Sequence, residues 1–105
     1  MALLANRIAH VMTTSDKRTE AFSLAQRAIR IQVANDHGEL SDAESCLVQA
    51  LDLDPDSIEA LQEAAHFYDA VMPNEGKARE YALRCRELAA KLVAEMDEIL
   101  SEYSN

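Results

Sequence analysis

Glycine and proline are nearly missing, two of each in 105 residues, and there is no tryptophan; Phe and Tyr together make up 5% of the chain. That scarcity excludes the turn-rich all-β architectures, and two glycines cannot build a phosphate-cradling loop. Only two cysteines occur, Cys46 and Cys85, without metal-ligand spacing. They read as small core residues in a reducing compartment rather than as a disulfide framework. Long apolar runs are lacking too: "MALLANRIAH" is broken by Asn6, Arg7 and His10 and has no basic region ahead of it, so neither secretion nor membrane insertion is expected. A cytoplasmic protein is the expectation. Lys and Arg are absent from Ile31 to Gly76, where eleven Asp or Glu stand, while residues 1–30 carry five bases and two acids. With a formal net charge of −9 the chain offers little to phosphate backbones, so nucleic acid is an unsuitable ligand and a basic partner a suitable one.

What is abundant is Ala, Leu and Glu, which favours an all-helical fold, and 105 residues suffice for one domain, residues 1–105. Five helices can be drawn. The first covers about Ala2 to Met12. The second runs from about Asp16, with Thr14, Ser15 or Asp16 as its cap, to Asp36, and Gly38 stops it. The third spans Ser41 to Leu53, with Ser41 and Glu44 at capping-box spacing. Pro55 breaks the chain, Asp56 or Ser57 caps a fourth helix to Met72, and after "PNEG" a fifth continues to about Glu102. The loops are short, so consecutive helices should be antiparallel.

Small residues recur at offsets that a single amphipathic helix would not need. Ala43-x3-Leu47-x2-Ala50-x4-Pro55 resembles the second-helix signature of the tetratricopeptide repeat, Leu61-x2-Ala64-Ala65-x2-Tyr68 the first-helix signature of the next unit, and Ala78-x3-Ala82-x2-Cys85 a further second helix. Two helices approach closely where one offers Ala and the other fills the adjoining hollow with Leu or Tyr. Arg27, Arg30 and Ile31 depart from the family pattern, so the resemblance covers Gly38 to Cys85 and not the second helix. It implies an α-α right-handed superhelix of antiparallel hairpins, here with an N-terminal helix and a long C-terminal capping helix.

In that family the first helix of each unit lines a peptide-binding groove. The resemblance therefore implies Glu59, Gln62, Glu63, His66 and Asp69 as a partner-binding surface, opposite the stripe Ile58, Leu61, Ala64, Ala65, Tyr68 and Met72. An acidic groove prefers Lys- or Arg-bearing segments. Glu63-x2-His66 also has the spacing of di-iron carboxylate helices, but no second Glu-x-x-His accompanies it, and His10, His37 and His66 lack a nucleophile partner. No metal, cofactor or catalytic activity is expected.

The last helix continues an apolar seam through Ala78, Tyr81, Cys85, Leu88, Leu92, Met96, Ile99 and Tyr103 for about 40 Å, twice what the fourth helix can cover. Its bases precede its acids, against the helix dipole. Two antiparallel copies would set basic halves beside acidic halves, although Glu80 with Arg84 and Glu87 with Lys91 provide local pairs. The leading expectation is a non-catalytic protein-binding module for a basic or amphipathic segment. The alternative is a homo-oligomerising bundle, a homodimer in the simplest case, using Leu92, Met96, Ile99 and Tyr103, or the N-terminal helix could cover those residues in a monomer.

Overall fold

The computed structural model describes residues 13–34 and 40–104, so the first expected helix and the Gly38 stop lie outside the described residues. The described chain is all-α. It consists of α1 (Thr14–Ala34), α2 (Leu40–Leu53), α3 (Ile58–His66), a π-helical turn (Phe67–Val71) that prolongs α3, and α4 (Glu75–Tyr103).

Local chemistry sets the boundaries. At the start of α1, Thr13 Oγ1 accepts from the Asp16 amide at 3.0 Å, and Asp16 Oδ2 accepts from the Thr13 amide at 3.2 Å. This is a reciprocal capping box with Asp in place of Glu, so Thr13 is the cap rather than Thr14, Ser15 or Asp16. Pro55 lies in the turn between α2 and α3; Ser57 then caps α3, its Oγ accepting from the Ala60 amide at 3.2 Å. Asn74 does the same for α4 through the Lys77 amide at 3.1 Å. Helix α2 begins at Leu40, one residue before the expected Ser41 cap.

The helices pair as two antiparallel hairpins. Ala28 of α1 joins Ala43 and Leu47 of α2 in one buried cluster, while Ala21 and Ala25 join Ala50 and Leu51 in another. In the second hairpin Ile58 lies beside Cys85 and Tyr68 beside Tyr81. Helix α3 also touches α1 and α2, so it is the middle layer of the fold. That position explains a departure from the expected single stripe: Ala60 and Phe67 are wholly buried along with Leu61 and Ala64, because α3 is covered on two sides. The seven alanines Ala21, Ala25, Ala28, Ala43, Ala50, Ala60 and Ala64 are all at most 2% exposed. Ala65 is half-buried. Helix α4 has no buried residue.

Deleting core volume should therefore be costly only inside this layer. Leu61→Ala should lower unfolding stability by about 2–5 kcal/mol, and Ala64→Leu by about 1–3 kcal/mol through overpacking. Leu92→Ala, on the exposed part of α4, should cost under about 1 kcal/mol. Urea denaturation followed by circular dichroism checks all three; equal losses at positions 61 and 92 would contradict the packing described.

Candidate functional site

The five residues assigned to a partner-binding surface all lie on α3 or the π turn. Glu59, Gln62, His66 and Asp69 are exposed, and Glu63 is half-buried. The fold does not gather them around one hollow. Glu59 lines a groove of about 460 Å³ with Asp54, Asp56 and Phe22, which Arg18 of α1 closes on one side. His66 and Asp69 line a different groove of about 610 Å³ between the π turn and α4, with Tyr68, Glu75 and Arg79. Gln62 and Glu63 connect the two along the α3 surface. The acidic face is thus edged by the chain's own Arg18 at one end and Arg79 at the other.

The wall of the larger groove is built around Tyr68. Its ring meets Phe67 edge-on, centroids 5.3 Å apart at 87°, and stacks on Tyr81 at 5.9 Å and 21°. Lys77 Nζ sits 5.0 Å above the Tyr68 ring centroid, a cation–π contact. The Tyr68 hydroxyl donates to Glu44 Oε2 at 2.8 Å. Sequence spacing assigned Glu44 to a cap; here its carboxylate ties α2 to the π turn. The π turn that starts at Phe67 then ends the helix. The Met72 amide donates to the Phe67 carbonyl at 2.8 Å and the Asn74 amide to the Tyr68 carbonyl at 2.8 Å, which closes the helix end.

Both tyrosines are harder to ionise than usual. Burial pushes the Tyr68 phenol up from the ordinary 10.0, and the hydrogen bond to Glu44 and its charge push it further. Burial likewise raises Tyr81, with Glu80 adding to the rise and Arg84 opposing it. Cys46 is buried and Cys85 half-buried, both as free thiols; Cys85 Sγ donates weakly to the Ile58 carbonyl at 3.8 Å.

No family model, curated protein or solved structure matches the chain. Among the described residues, no group of three His, Cys, Asp or Glu could hold a metal ion, and no helix is long and apolar enough to cross a membrane. The residues missed by sequence reasoning, Glu44, Lys77 and Tyr81, belong to the Tyr68 cluster. A hydroxyl–carboxylate bond across 24 residues leaves no periodic trace, whereas the Phe67-Tyr68 pair in an otherwise aromatic-poor chain was a usable signal.

The tyrosine shifts give a pH prediction with a definite sign. A phenol whose pKa is higher in the folded state holds its proton there after the unfolded chain has lost it. Its stabilisation is complete below about pH 10 and declines as pH rises beyond that through the folded values. Tyr68→Phe should cost about 1–2 kcal/mol near neutrality, from the lost bond to a charged acceptor, and should flatten the alkaline decline. Chemical denaturation of both proteins at stepped alkaline pH checks this; an identical slope in the variant would show that Tyr68 is not the linked group.

Proposed function

We propose that the chain is a non-catalytic protein-interaction module that takes up a basic or amphipathic protein segment along the acidic face of α3, in a tetratricopeptide-like arrangement of hairpins. The observation that carries the reading is the placement of charge on the fold. Nine acids and no Lys or Arg lie between Leu40 and Gly76, and Asp42, Asp52, Asp56, Glu59, Asp69 and Glu75 among them are exposed. A surface of one sign raises the encounter rate and selectivity for the opposite sign more than it raises bare affinity. The antiparallel hairpins, the alanine-mediated approach of α1, α2 and α3, and the turn at Pro55 support the family-like arrangement. The two free thiols suit a reducing compartment such as the cytoplasm.

A second reading, self-association through Leu92, Met96, Ile99 and Tyr103, draws support from the exposure of all four side chains. That exposure favours a contact on this stretch without deciding what fills it.

The α3 assignment is tested with a labelled extended peptide of alternating Arg and Ala. Its affinity should fall steeply between about 0.05 and about 0.3 M salt, and Glu59→Lys with Glu63→Lys should weaken it by about tenfold or more. Thermal melting of the double variant verifies that it is folded. Undiminished binding there would remove α3 from the site.

A further inference from the structure

The second half of α4 leaves the hairpin and takes an apolar stripe with it. Tyr81, Cys85 and Leu88 are half-buried against the core cluster that holds Leu51 and Leu61. From Ala90 to Ser104 every residue is exposed. This stretch carries six large apolar side chains, Leu92, Val93, Met96, Ile99, Leu100 and Tyr103, between 44% and 79% exposed. The stripe is a continuation and not a scatter. Cys85, Leu88, Leu92, Met96, Ile99 and Tyr103 follow at intervals of 3, 4, 4, 3 and 4, so each of the first three recurs eleven residues later. An 11-residue recurrence keeps a stripe almost parallel to the helix axis. The seam that α3 covers therefore runs straight on for about 17 Å beyond Leu92.

Charge identifies the occupant. Glu95 and Glu102 border this part of the stripe along one edge, with Val93 and Leu100 along the other, and no Lys or Arg follows Lys91. The last of these acids also stands at the negative end of the helix dipole, where a cation is favoured. We propose that the stripe is a docking site for a helix of a partner protein that presents an apolar face bordered by Lys or Arg. A straight stripe on one helix is matched by the ridges of another, and the flanking carboxylates select basic borders.

A second copy fits less well. Antiparallel apposition that sets Leu92 on Tyr103 and Met96 on Ile99 brings Glu95 and Glu102 of both copies along one shared edge, with only Lys91 from each near enough to offset them. A longer overlap would place Arg84 beside the other copy's acids, but it needs Cys85 and Leu88 to face outward. Both are engaged: Cys85 Sγ lies 3.8 Å from the Ile58 carbonyl, Leu88 packs on the core, and Arg84 donates to the Pro55 carbonyl. The inference stands apart from the α3 reading, since it uses none of the same residues.

The experiment uses the full chain and a labelled amphipathic helix of about 18 residues, built from Leu on one face and Lys on the other. The control is a peptide of the same composition reordered to alternate Leu and Lys. The helical peptide should bind about tenfold or more tightly than the reordered one, and Leu92→Ser with Ile99→Ser should abolish that difference. Glu95→Gln with Glu102→Gln should weaken binding and its salt dependence, while Glu59→Lys with Glu63→Lys should leave the preference intact. Equal binding by wild type and Leu92→Ser/Ile99→Ser would overturn the proposal. So would a concentration-dependent dimer, seen by light scattering, that the same substitutions dissolve, which would assign the face to a second copy. A tenfold gain in binding on Leu4→Ser with Ile8→Ser would also overturn it, by assigning the face to the chain's own first residues.

Discussion

Helix axes approach to about 8 Å only where the facing side chains are small, and here α1, α2 and α3 meet through seven alanines that are essentially inaccessible to solvent. Each alanine leaves a hollow that a neighbour must fill, and the fully buried large side chains Leu47, Leu61 and Phe67 are the ones available to do so. The close approach and the filling are one constraint: enlarging an alanine pushes the helices apart, and shrinking a leucine or phenylalanine empties the space between them. Because this tight layer uses both sides of α3, the middle helix is short and committed to packing. Helix α4 meets it from outside, contributes no buried residue, and extends well past its end.

The same geometry distributes charge. With α3 held between α1 and α4, the acids of α3 and the π turn share grooves with cations that lie far away in sequence, Arg18 with Glu59 and Arg79 with Asp69. If the proposed basic segment docks on this face, it has to compete with those side chains, and exposed ion pairs of this kind are weak. The Tyr68 cluster serves the opposite purpose. Glu44 and Lys77 are both held to one aromatic ring, so that α2, the π turn and α4 are locked together at the mouth of the larger groove.

Much of this is legible in the sequence. Pro55 and Ser57 announced the break between hairpins, the Ala43-Leu47-Ala50 offsets announced a close-packed neighbour, and the extent of α4 followed from its unbroken seam. Features that depend on a partner element were not legible. Thr13 caps α1 because Asp16 reciprocates, a box hidden among four consecutive capping residues. Phe67 was assigned to no face, since one apolar stripe through Leu61 and Tyr68 was expected, whereas α3 is covered on two sides and Ala60, Ala64 and Phe67 form a second stripe. The five residues of the candidate site lie at exposed or half-buried positions of α3 and the π turn. Its division into two grooves was not visible, because Arg18 and Arg79 enter it from other helices.

The free half of α4 is instructive about how an exposed apolar stripe is tolerated. Six large apolar side chains in a row on one helix would ordinarily drive chains together. In the docking proposal, matching the stripes of two copies over Leu92 to Tyr103 also sets Glu95 and Glu102 of both along one edge, and a longer overlap is opposed by the engagement of Cys85 and Leu88 with the core. On that proposal Glu95 and Glu102 act twice: they oppose association between identical chains, and they leave a negative edge that a partner of opposite sign neutralises. Placing them at the negative end of the helix dipole costs stability in the isolated protein, a few tenths to about 1 kcal/mol for each terminal charge at low salt. That cost is relieved by a cation brought from outside, so the strain of the free chain becomes part of the affinity of the bound one.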